Sequence, residues 1–229
     1  MSAISTRHPL ARALLVLTFT TGVVDAASFL GLGHVFTANM TGNIVLLGFG
    51  IAGSAGLPVV SPLVSLAAFF AGSTIGGAMS RSLGTHRSAH MARSLLIEVA
   101  LIALASLIAV VFEITPNHFS GDLVIALLAL SMGVRNATVR KLGIADLTTT
   151  VLTMTLTGLA ADSPIAGGTG EGTSRRTAAV VAMLLGAIAG ALLLKVDLAL
   201  ALAGAAILAL LTWLVFLPAA IAADRRARP

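Results

Sequence analysis

Apolar residues run along this chain in eight stretches, at about 11–32, 35–53, 60–80, 92–112, 121–140, 144–161, 176–194 and 198–218. Most approach ~20 residues, the length that carries an α-helix across the hydrocarbon core. They are continuous and rich in Ala and Leu, so helices are predicted rather than the short alternating strands of a membrane barrel. Two stretches have a different texture. Residues 35–53 carry Thr37, Asn39, Thr41, Gly42 and Asn43, followed by Gly48, Gly50 and Gly53. Residues 144–161 carry Thr148, Thr149, Thr150, Thr153, Thr155 and Thr157, followed by Gly158. Asn and Thr side chains can bond backbone groups freed by a broken helix. Such backbone is tolerated at membrane depth only where protein or a wet cavity covers it.

These two stretches belong to a wider internal match. Residues 22–53 and 133–162 each hold a Gly-Val-x-Asp/Asn-Ala element, a Leu-Gly turn and a polar-spotted apolar segment. At an offset of 111 residues, Gly22 falls on Gly133, Val23 on Val134, Asp25 on Asn136, Ala26 on Ala137 and Thr37 on Thr148. Repeats of about 10–112 and 121–218 are therefore expected within a single membrane domain. Internal duplication is common among small transporters.

Loop charges choose between two topologies. Arg7 and Arg12 precede the first stretch, and Arg81, Arg87 and Arg93 surround the turn after the third. Arg140 and Lys141 follow the fifth, Arg175 and Arg176 precede the seventh, and Arg225, Arg226 and Arg228 follow the last. The 113–122 loop has Glu113 and Asp122 but no Lys or Arg. If all eight stretches crossed, the Arg81–Arg93 cluster would fall outside, against the positive-inside tendency. If the second and sixth dip in and return, every large basic cluster lies in the cytoplasm. The preferred fold is thus an all-α polytopic membrane protein with six crossings and two re-entrant or broken helical segments. Three crossings per repeat would make the repeats inverted, with both termini cytoplasmic.

Composition sharpens this picture. The chain is 57% hydrophobic and 10% charged, against about 25% charged in a soluble domain. Its pI of 11.3 is assigned to basic loops beside lipid rather than to a nucleic-acid interface. Cysteine is absent, which excludes disulfides, thiol catalysis and cysteine-bound metal. The first apolar run imitates a signal peptide, but its pattern recurs in mid-chain, so a retained helix is expected. Trp213 is expected to anchor an interface. The lipid bilayer is the expected partner, and a homo-oligomer stays open.

Candidate chemistry follows from polar residues in the apolar runs. Asp25 is a carboxylate within the first span, read either as a proton or cation site or as a tether for a broken helix. Arg135 either neutralises an anionic solute, snorkels or forms a structural pair. Its neighbour Asn136 is the non-titrating counterpart of Asp25. Asn39 and Asn43 would share a helical face, with Thr41 between them, to bind a polar solute or to join helices. Thr149, Thr153 and Thr157 form an analogous hydroxyl stripe, with Thr150 beside it, read either as binding a solute or as bonding the i−4 carbonyls of its own helix. Glu98 is read as shallow, near Arg93. Asp146 is read as a helix cap. Gly72, Gly76 and Gly77 form a small-residue packing face. His90 is assigned to a loop. No catalytic set, metal site or cofactor motif emerges, so an enzyme is not expected.

Gly22-Val-Val-Asp-Ala, Phe29-Leu-Gly-Leu-Gly, Asn39-Met-Thr-Gly-Asn, Asn136-Ala, Asp146-Leu-Thr-Thr-Thr and Thr157-Gly-Leu-Ala together resemble the YoaK-like family of uncharacterised bacterial integral membrane proteins. The resemblance spans nearly the whole chain and implies a multi-pass protein of the inner membrane. It carries no substrate or reaction. From the residues themselves, the expected function is a secondary permease for a small solute, with proton coupling through Asp25 as one option. A non-transporting assembly or scaffold protein, or a channel, is the alternative.

Overall fold

A computed structural model describes residues 9–54, 56–82, 87–142 and 152–226. Its helices are α1 (Pro9–Gly31), α2 (Met40–Ile51), α3 (Val60–Ser82), α4 (Arg87–Val111), α5 (Phe119–Leu142), α6 (Leu152–Ala161), α7 (Thr173–Leu194) and α8 (Leu198–Arg226). Six of them, α1, α3, α4, α5, α7 and α8, are long and apolar enough to cross a membrane. The protein is therefore an all-α multi-pass membrane protein with six apolar spans. The remaining pair, α2 and α6, have 12 and 10 residues, too short to cross at 1.5 Å per residue.

Hydrocarbon offers no hydrogen bonds, so each span must satisfy its own backbone. Several hydroxyls inside the spans turn back on their own helix. Thr18 Oγ1 donates to Leu14 O at 2.8 Å, and Thr212 Oγ1 to Leu208 O at 2.7 Å. Phe70, Leu107, Val110, Leu184 and Leu214 instead lie exposed on the outer surface of the bundle, where acyl chains rather than water would meet them.

The helices interlock in matched pairs. Helix α1 packs on α7, and α5 packs on α3. Helix α8 lies against α1 as α4 lies against α5, and α4 and α8 pack on each other. The short helices α2 and α6 pack on α3 and α7. Glycines allow the two closest approaches. A Cβ on Gly186 would fall on the carbonyl of Phe19, and one on Gly190 would lie 2.6 Å from Val23 O. On the other seam, a Cβ on Gly72 would fall on the carbonyl of Leu130, and one on Gly76 would lie 2.7 Å from Val134 O. Gly22 and Gly133 meet the backbones of α7 and α3 in return. Gly77, by contrast, has open space around it. It is therefore not part of the expected packing face.

These contacts also fix helix directions. Numbers rise together along both glycine seams, so α1 runs parallel to α7 and α3 to α5. Gly33, just past α1, faces Asn117, just before α5, so α1 ends where α5 begins. Glu98–Arg135 and His90–Thr138 contacts make α4 antiparallel to α5. Ser106–Ala199 and Trp213–Ala92 bonds do the same for α4 and α8. Trp213 is thus tied to α4 by its indole N–H, 3.2 Å from Ala92 O. The ends of α3, α5 and α8 and the starts of α1, α4 and α7 share one face. It carries Arg12, Arg81, Arg140, Lys141, Arg175 and Arg176, and is called the basic face below.

Candidate functional site

Helix α1 is followed by a turn through Gly33 and His34, which has φ 62, and the chain then turns inward to α2. Asp25 sets the depth of that return. Its Oδ1 accepts from the backbone N–H of Thr37 at 3.2 Å and of Ala38 at 2.9 Å. The carboxylate is buried, so of its two readings the geometry matches the tether. Asp25→Ala should cost about 1.5–3 kcal/mol, the range for hydrogen bonds to a charged group. Hydrogen exchange at the Thr37 and Ala38 amides is expected to speed up, while that of α4 stays slow.

Asn39 and Asn43 separate instead of sharing a helical face. Asn39 is the N-cap of α2, and its side chain accepts from Gly42 N at 3.2 Å. Asn43 is buried. Its Oδ1 accepts from Phe36 N at 2.9 Å, and its Nδ2 donates to Phe36 O at 2.6 Å and to Ser65 Oγ at 3.0 Å. It staples the irregular segment before α2 to α3. Its hydrogen bonds are used inside the protein, whereas Asn39 lies on an open wall.

That wall belongs to a cavity of about 1250 Å³ between α1, α2, α3, α5 and α6. Asn39, Thr41, Asn136 and Thr153 line it. Four expected site residues from three separate helical segments therefore converge. The sequence reading missed Ser73 and the apolar wall of Phe29, Phe36 and Phe69. Phe29 and Phe36 stack at 4.7 Å between centroids. Gly77 also lines the cavity, and Arg140 and Lys141 border it toward the basic face. Those two cations were visible in the sequence only as a topology signal. The lining is mostly apolar with a few convergent polar groups, the usual make-up of a small-molecule site.

Asn136 Nδ2 also donates to Met132 O at 2.9 Å. Thr157 Oγ1 donates to Thr153 O at 2.9 Å, so that hydroxyl serves its own helix. Thr149, Thr150 and Asp146 lie outside the described residues. Asp162 pairs with Arg176 at 2.8 Å, and Arg176 also donates to Gly158 O at 2.7 Å. Together these contacts hold α6 against α7.

Arg135 does not reach the cavity or snorkel. It pairs with Glu98 at 2.8 Å, and both side chains have 0% exposure. Arg135 Nη1 also donates to Leu17 O at 3.2 Å, and Nη2 donates to Thr21 Oγ1 and to Met132 Sδ. Glu98 is therefore not the shallow partner of Arg93 that its sequence neighbours imply. Arg93 is exposed on another face of α4. His90 is likewise not a loop residue. It is buried on α4, with Nε2 3.3 Å from Thr138 Oγ1.

The family profile described as "Protein of unknown function (DUF1275)" matches residues 13–215. The "UPF0700 transmembrane protein YoaK" of Bacillus subtilis (strain 168) is 37% identical over 163 residues, covering 71% of this chain and 69% of that protein. No solved structure matches the chain.

Proposed function

The chain belongs to the DUF1275, YoaK-like family of bacterial membrane proteins, and from that premise we propose that it is a secondary permease for a small solute. The observation that carries this reading is the cavity where Asn39, Thr41, Asn136 and Thr153 converge. Supporting it, α2 and α6 are half-length helices that bring polar residues to that cavity. Broken helices around a central site are a common device of secondary transporters. In our reading α2 and α6 enter from opposite faces and return, and residues 10–112 and 121–218 are inverted repeats. The matched glycine seams, with Phe19 and Leu130 each 111 residues apart in equivalent places, support that arrangement.

Charge narrows the solute. Arg140 and Lys141 border the cavity, and no acid is among its described lining residues, which favours a small organic anion with an apolar body against the phenylalanines. The positive-inside tendency then puts the basic face, and both termini, in the cytoplasm of a bacterial inner membrane. Nothing in this proposal requires chemistry on the solute, so no enzymatic step is assigned.

Gly77 supplies the test because it lines the cavity and a Cβ there meets nothing within 4 Å. In reconstituted vesicles, a panel of aromatic and aliphatic carboxylates is expected to yield saturable uptake by the wild type. Gly77→Phe should lower that uptake by about tenfold or more, equivalent to ~1.4 kcal/mol of lost binding, while remaining folded and monodisperse. Equal uptake by both proteins would remove the cavity from the path. A scaffold gains support from Asp25 and Asn43, whose polar atoms serve internal contacts. Under that alternative, no member of the panel is taken up.

A further inference from the structure

We propose that Glu98 is a proton-binding site, reached from the basic face past His90 and Ser94, and that Arg135 reports its charge to the tethered segment before α2. This deepens the permease reading by naming the coupling ion, and it rests on that reading only for the coupling.

The local geometry is that of an incompletely satisfied pair. A structural Arg–Glu bridge in hydrocarbon is expected to use both carboxylate oxygens, as in a bidentate pair. Here Arg135 contacts only Oε1 of Glu98. Its Nη groups also donate to Leu17 O, Thr21 and Met132. Glu98 Oε2, the Ser94 hydroxyl and Arg135 Nε are all buried without a hydrogen-bond partner. Buried orphan atoms of this kind are costly and call for an explanation. A proton on Oε2 is compatible with the contacts observed, because Oε1 alone holds Arg135.

A route to that oxygen is written along α4. His90, Ser94 and Glu98 are spaced by four residues and share one helical face. His90 stands nearest the basic end, beside Thr138. In the proposed step, a hydronium ion at the basic face gives up a proton, an O–H bond forms at Glu98 Oε2, and water is left behind. Arg135 stays charged. The same step in reverse returns the proton.

The consequence reaches the cavity through α1. Neutralising Glu98 leaves Arg135 as an uncompensated charge beside Thr21. Asp25 lies one turn further along α1, and its carboxylate holds the Thr37 and Ala38 amides. Arg135 then competes with those amides for Asp25, and Ala38 lines the cavity. Arg135 of α5 is the charged group against Glu98; His90 lies two turns away on α4, and Asp25 lies on α1 one turn beyond Thr21. The apolar cores of α3 and α8 contribute no ionisable side chain, since none occurs at 60–80 or 198–223.

The test needs no transported solute. The chain has three glutamates, Glu98, Glu113 and Glu171, and the last two are exposed. Glu113→Gln/Glu171→Gln protein, made with carbon-13 glutamate and placed in lipid nanodiscs, carries the label at Glu98 alone. Infrared difference spectra are expected to show its protonated carboxyl band appear as the pH falls within the folded range. In the cysteine-free chain, Thr41→Cys should change its maleimide labelling rate by about tenfold over the same interval, and the added Glu98→Gln should abolish that change. A label that keeps one charge state throughout overturns the proposal, and so does a labelling change that survives Glu98→Gln. The infrared measurement uses native Glu98, so it decides the matter even if Glu98→Gln does not fold. Failed uptake with a titrating Glu98 would refute the permease and leave the proton site. Solute uptake with a silent Glu98 would do the reverse.

Discussion

Arg135→Ala is expected to destabilise the protein by about 3–5 kcal/mol, the cost of breaking a buried ion pair from one side. The substitution strands Glu98 at 0% exposure and removes the donors bound by Leu17 O and Thr21. Glu98→Leu strands Arg135 by the same logic. Their effects should not add. In the double variant Glu98→Leu/Arg135→Met neither charge remains, and apolar replacements of a buried pair are often neutral or better. The expected result is two severely destabilised single variants and a double variant close to wild type. Unfolding in mixed micelles, analysed as a double-mutant cycle, gives the coupling directly. Additive losses would mean that the two side chains do not stabilise each other.

The second large effect lies at the glycine seams. Gly186→Leu places its Cβ on the Phe19 carbonyl, and Gly72→Leu places its Cβ on the Leu130 carbonyl. Backbone cannot yield as a flexible side chain does, so whole helices must separate. Overpacking of an ordinary core costs about 1–3 kcal/mol, and both variants should meet or exceed the upper end of that range. Little folded monodisperse protein is expected from either. Gly48→Ala is the control, because its Cβ meets nothing within 4 Å, and alanine favours helix over glycine by up to ~1 kcal/mol. Size-exclusion profiles and thermal unfolding of the three variants separate a seam defect from a general intolerance of larger residues.

The six spans were legible because hydropathy over a span-length window reads the solvent directly. The two odd segments were legible because Asn or Thr residues crowd together there beside Gly, a density of polar groups that a continuous span facing lipid does not carry. What was not legible was which face of each helix meets which partner. Glu98 and Arg135 are each conspicuous as charges within apolar runs, yet 37 residues separate them and neither periodicity nor loop charge pairs α4 with α5. Arg93, five positions away in sequence, drew the assignment that Arg135 holds in space. Asn39 and Asn43 failed to act together for a different reason. A shared face requires both to be helical, and Asn39 instead stands just before the helix as its cap. The cavity's phenylalanines carried no signal at all, since an aromatic residue in an apolar run looks the same facing lipid or a solute.

The crossed pairing of α1 with α7 and of α3 with α5 sets the order in which this chain can assemble during synthesis. When α1 leaves the ribosome its long-range partner α7 is still about 140 residues from being made. Neither half can close its own glycine seam, because each seam joins one half to the other. The nascent bundle must therefore hold an unfinished surface until α7 enters the membrane, and the last third of translation completes the fold for the first.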